Sequence, residues 1–83
     1  MNDALNDAVR QVMHSAAHVS PEADADAHLY DDLGVASIDA LLLLEAVEER
    51  FGVRVPDEEW IEANTIRRVT DLVRRLVSAD GAA

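Results

Sequence analysis

Cysteine is absent from this 83-residue chain, so no disulfide staples it and no thiolate metal site is available. Aromatic side chains are scarce. Tyr30, Phe51 and Trp60 are the only three, and any core has to be aliphatic. Long apolar runs are missing as well: the longest, Ala40 to Leu44, falls far short of the ~20 residues that cross a bilayer. The first ten residues contain acids and no apolar stretch, which argues against a secretion signal, and a cytoplasmic protein is expected. No internal repeat or low-complexity tract occurs. A chain this short buries only about 60–65% of the surface it exposes when unfolded, which leaves little material for an enclosed catalytic pocket. A module handled by other proteins suits that size better.

What the chain does have is negative charge. Its formal net charge is −10, unevenly placed. Between Glu22 and Glu62 stand thirteen acids against two arginines, leaving −11 in that stretch and +1 in the remainder. Such a field repels nucleic acid and anionic lipid and steers basic protein surfaces inward. Simple solubility is the plainer reading of the same numbers. Hydrophobic residues at 49% and charged residues at 29% are those of a globular domain and not of a disordered chain.

Periodicity predicts an all-α fold. From about Asp3 to His18, residues Leu5, Ala8, Val9, Val12, Met13 and Ala16 form one apolar stripe, with Asn2 or Asp3 as cap and Pro21 as the stop. No period holds from Ser20 to Val35, where Leu29 and Leu33 read as anchors of a long loop and Gly34 permits a sharp turn. A second helix is expected from Ser37 to Phe51, with Ala40, Leu43, Leu44, Val47 and Phe51 inward and Gly52 ending it. After an extended link, Pro56 opens a short acidic helix lasting to about Ala63. The last helix begins at Asn64 or Thr65 and buries Ile66, Val69, Leu72, Val73, Leu76 and Val77. Arg67, Arg68, Arg74 and Arg75 lie on its other face, solvated or paired with nearby acids. The expectation is a single domain over residues 1–83: a small bundle of three long helices and a short third one, ordered over about 3–79, with 80–83 as a tail.

Ser37 follows a glycine turn and opens a helix, so its hydroxyl stands at a helix tip whose N–H groups suit a phosphate ester. On the residues alone, a capping serine is the simpler reading. Other signals lead nowhere. His14 and His18 are four apart, yet no third metal ligand accompanies them. The aspartates at 24, 26, 31 and 32 lack the glycine and terminal glutamate of a calcium loop. Gly34-Val35-Ala36-Ser37 lacks the second glycine of a nucleophile elbow.

The run Asp31-Asp32-Leu33-Gly34-Val35-Ala36-Ser37-Ile38-Asp39 resembles the acyl carrier protein signature, an acidic-Leu-Gly turn leading to Asp-Ser-Leu. The stretch from Glu45 to Glu59, with Phe51-Gly52 and Pro56-Asp57-Glu58-Glu59, is similar to that family's second helix and the link into its third. The likeness covers nearly the whole chain. It implies a non-catalytic carrier with 4′-phosphopantetheine on Ser37, placed there from coenzyme A by a phosphopantetheinyl transferase. Acyl cargo would ride on the arm as a thioester between partner enzymes. Ser15, Ser20 and Ser78 are poor rivals by position.

Two departures from the family pattern matter. Ala36 stands where many members have Asp, so either Ser37 caps the helix or that end is weak by about 1 kcal/mol. Leu41 to Leu44 span about 300° of helix, so they cannot all face one core. With Leu43 and Leu44 inward, the expected docking face is Ile38, Asp39, Leu41, Leu42, Glu45, Glu48 and Glu49, met by partners with basic patches. The alternative is that the third helix and the long loop cover the two leucines. Polyketide or specialised fatty-acyl synthesis is the expected setting, with a monomer binding neither membrane nor nucleic acid. An aminoacyl or peptidyl carrier of a nonribosomal-peptide-type pathway, or an unmodified helical adaptor, remains the alternative.

Overall fold

The computed structural model describes residues 4–82, with side chains described as far as residue 78. Four helices follow in order: α1 (Ala4–Ala17), α2 (Ser37–Phe51), α3 (Asp57–Glu62) and α4 (Ile66–Ala82). The all-helical bundle with a long first connection is the architecture that the spacing predicts. Among the described residues the only extended pairing is an isolated bridge between His28 and Thr65.

The apolar stripes meet in one core. Val9, Val12 and Met13 of α1, Leu43 and Val47 of α2, and Ile66, Val69, Leu72 and Val73 of α4 are buried together. α1 packs against both α2 and α4, and α3 leans on α4. Trp60 is the buried side chain through which α3 joins the core. Leu29, expected as a loop anchor, is buried at 1% exposure, whereas Leu33 is only partly buried. In the link after α2, Val53 and Val55 point inward and Arg54 outward, as an extended strand alternates.

Several details differ from expectation. α1 ends at Ala17, one residue before the expected His18 and ahead of Pro21. His18 takes a left-handed conformation (φ 60°), and its N–H donates to the His14 carbonyl while that of Val19 donates to the Met13 carbonyl. The first of these is the 5→1 bond of a left-handed helix closure, a conformation usually supplied by glycine. Val77, expected inside, is exposed, and Thr70 is a buried polar residue on α4. The Thr70 hydroxyl is satisfied by donating to the Ile66 carbonyl at 2.8 Å. Helical backbone continues from the expected tail at Asp80 to Ala82. The expected α1 caps, Asn2 and Asp3, lie outside the described residues.

The long loop is fastened at both sides, which fixes the entry to α2. Arg10 on α1 donates to the carbonyls of Ala23 (2.6 Å) and Pro21 (3.1 Å). From α4, Arg67 grips the Asp26 carboxylate through two nitrogens at 2.6 and 3.1 Å, and its backbone N–H donates to the Ala25 carbonyl. The Leu29 N–H donates to the Asn64 carbonyl at 2.8 Å. The arginine face of α4 is therefore paired as well as solvated: Arg75 meets Glu59, and Arg74 lies 3.2 Å from Asp71.

Candidate functional site

Gly34 sits at φ 71°, a conformation that favours glycine, and no atom lies within 4 Å of where its Cβ would be. The backbone reverses there. Val35 is buried, and its N–H donates to the Leu29 carbonyl at 2.9 Å, so the chain is pinned just before α2 starts. Ser37, two residues on, is the first residue of the helix and is exposed.

The expected capping role of Ser37 does not hold. Ala36 occupies the cap position in an extended conformation (φ −79°, ψ 158°), and no side chain hydrogen-bonds the helix start. The reason is register: a cap must have non-helical angles, and Ser37 is already helical. Its hydroxyl is thereby left uncommitted at a tip whose amides carry partial positive charge. Asp39, half-buried in the same first turn, places an acid where the helix dipole favours one. An exposed, unengaged hydroxyl beside free helix amides fits a phosphate ester on a flexible arm.

Beyond Ser37 an apolar surface begins. Ile38, Leu41 and Leu42 are 70%, 62% and 50% exposed, so neither α3 nor the long loop covers them. Glu45 and Glu49 continue the same outward ridge and are exposed. Glu48 is different. It is half-buried, and its carboxylate Oε2 accepts the Val55 N–H at 2.8 Å, tying the link after α2 back onto the helix. It belongs to the flank of α2, and part of its charge is spent on that bond. One exposed apolar residue escaped the sequence reading: Ile61 on α3, 72% exposed. Trp60 turns into the core, and Ile61, about 100° further round the helix, turns outward.

Among the described residues no group of three or more His, Asp or Glu side chains could hold a metal. His14 and His18 do not form a pair on one face, because His18 has left the helix and His14 Nδ1 lies 3.2 Å from the Val19 carbonyl. No helix among the described residues is long and apolar enough to cross a membrane.

Residues 7–73 match the family described as "Phosphopantetheine attachment site". An acyl carrier protein of Thermosynechococcus vestitus is 35% identical over 72 residues, covering 86% of this chain and 89% of its own length. One from Wolinella succinogenes is 36% identical over 72 residues, covering 86% and 91%. Another, from Helicobacter pylori, is 42% identical over 64 residues, covering 77% and 73%. The likeness runs from within α1 to within α4 and includes the glycine turn and the serine that opens α2. The chain belongs to the acyl carrier protein family: it is a non-catalytic carrier that bears covalent 4′-phosphopantetheine and is served by a phosphopantetheinyl transferase and partner enzymes.

Proposed function

We propose that Ser37 takes the arm and that this carrier, a cytoplasmic monomer, serves polyketide or specialised fatty-acyl synthesis. The observation that carries the reading is the free hydroxyl of Ser37 at the start of a ridge of exposed aliphatic side chains. The transferase brings coenzyme A to the helix tip. The Ser37 Oγ gives up its proton and bonds to the phosphorus of the arm, and the nucleotide portion of coenzyme A departs. The amides opening α2 and the absence of an acid at Ala36 leave the phosphate facing a positive helix end with no anionic neighbour at the cap. When attached, the arm supplies a thiol that holds cargo as a thioester.

Ile38, Leu41 and Leu42 form the apolar centre of the docking face, and Asp39, Glu45 and Glu49 rim it with negative charge for basic partners; Glu48 contributes at its flank. The specialised setting is supported by Leu42, which stands exposed where many fatty-acid carriers of the family have an acid.

Intact mass after incubation with coenzyme A and a promiscuous transferase tests the site. The wild-type chain should gain the mass of one arm and Ser37→Ala none. Modification of Ser37→Ala would move the site elsewhere, and no gain by the wild type with several transferases would leave an unmodified adaptor. Offering the loaded-arm form to acyltransferases and to aminoacyl-adenylating synthetases then assigns the cargo. Loading by a synthetase alone would make this an aminoacyl or peptidyl carrier.

A further inference from the structure

The segment between Asp24 and Val35 has no regular secondary structure, so its backbone amides depend on local partners. His28 supplies several. Its imidazole Nδ1 accepts the N–H of Tyr30 at 3.2 Å and that of Asp31 at 3.1 Å. Its own N–H donates to the Asp32 carboxylate at 2.8 Å, and its carbonyl accepts from Asp32 at 2.9 Å and Leu33 at 3.0 Å. The chain leaves this knot through Gly34, is pinned by the bond from Val35 to Leu29, and reaches Ser37. One ring nitrogen thus helps to close the turn from which the serine is presented.

Serine, asparagine or aspartate oxygens ordinarily accept amides in such turns. A serine or asparagine oxygen stays an acceptor at every pH near neutral. An imidazole does not: between roughly pH 8 and pH 5 a histidine side chain takes up a proton, and a protonated Nδ1 donates and cannot accept. The amides of Tyr30 and Asp31 would then lose their shared partner. Around the ring, the Asp31 carboxylate lies 3.9 Å from Nδ1, Asp32 holds the backbone N–H, and the Tyr30 ring packs edge-on with centroids 5.6 Å apart. Across the bridge to Thr65, the link before α4 contributes Asn64 and Thr65, neither of which titrates. The charged groups at that end of α4 are Arg67, paired with Asp26, and Arg68, which donates to the Glu62 carbonyl. A protonated ring has Asp31 to pair with, and that pairing exchanges two backbone bonds for one ion pair.

We propose that His28 is a pH-responsive positioning residue for Ser37. Neutral, it holds the turn of residues 28–33 shut; protonated, it releases the Tyr30 and Asp31 amides and loosens the segment that presents the serine. The functional half of this rests on Ser37 being the attachment residue. The test is amide exchange and backbone NMR of the wild-type chain across roughly pH 8 to pH 5, beside His28→Asn and His28→Ser. Both variants keep an oxygen acceptor that does not titrate there, and either one suffices if the other folds poorly. Tyr30 and Asp31 in the wild type should lose about fivefold in protection, corrected for intrinsic exchange, as the His28 ring takes its proton. The same amides in the variants should stay protected. The rate at which transferase modifies the wild type, divided by that of His28→Asn at the same pH, should fall about threefold over the same interval, a ratio that cancels the transferase's own pH dependence. Amides of Tyr30 and Asp31 that remain protected while the ring titrates, or a rate ratio that stays flat, would overturn the proposal. A Ser37→Ala chain that still takes the arm would instead strike the attachment reading, and the amide titration would still decide whether His28 controls the turn.

Discussion

Glu45 and Glu48 look alike in the sequence and do different work in the structure. Glu45 is exposed on the outward ridge of α2, whereas Glu48 spends a carboxylate oxygen on the Val55 amide. A part-buried amide deprived of a charged acceptor costs about 1–2 kcal/mol. Glu48→Ala should therefore lower stability to chemical denaturation by about that amount, while Glu45→Ala should change it by less than about 0.5 kcal/mol. Equal losses would show that the Val55 bond contributes nothing. Helical spacing placed both on one face because it counts angles around one axis. The partner of Glu48 lies seven residues on, across the Gly52 turn, and no period reports that. Ser37 was legible for the opposite reason: a glycine turn, the serine and the helix it opens are contiguous. Whether it caps was not, because a one-residue shift in register decides it.

The stops that end α1 and α2 show how far helix ends can be read. Gly52 closes α2 at φ 66°, with its N–H donating to the Glu48 carbonyl, as a terminal glycine predicts. Gly52→Ala should cost about 1 kcal/mol, since an alanine there must hold a left-handed backbone although its Cβ meets no neighbour. At the end of α1 a histidine holds the same conformation, which composition gives no reason to expect. His18→Gly should raise stability, by a few tenths to about 1 kcal/mol, as measured by thermal or urea unfolding. A decrease would mean that the imidazole makes contacts outweighing its backbone strain. Within α2 the four-leucine run divides as arc geometry requires: Leu43 is buried at 1% and Leu42 is half exposed. Leu43→Ala should cost about 2–4 kcal/mol and Leu42→Ala less than about 1. Similar values for the two would contradict the assigned inward face.

Long-range pairing was the part that no local pattern carried. Asp26 and Arg67 are 41 residues apart, and their contact fastens the loop to α4. The hydrogen bond from Arg67 holds the Asp26 carboxyl below its ordinary value of 3.8, outweighing the desolvation that opposes it, and the arginine's charge lowers it further. A carboxyl lowered in the folded state lends stability that is complete above that ordinary value and is lost as pH falls through the lowered one. Both partners are largely exposed, so the gain is small and screened by salt. Net repulsion acts the other way. With −11 concentrated between Glu22 and Glu62, moving from very low salt to about 0.15 M shortens the screening length to about 8 Å and should raise the melting temperature. A melting temperature that falls instead would mean that ion pairs outweigh repulsion. The lone indole of the chain sits in α3, a helix of six residues that rests on α4. The only indole fluorophore thus sits on the most lightly anchored piece of the bundle, shielded at 7% exposure. Its emission will shift to the red as soon as that piece lifts off, ahead of any loss of far-ultraviolet ellipticity, so detachment of α3 can be followed optically with no label at all.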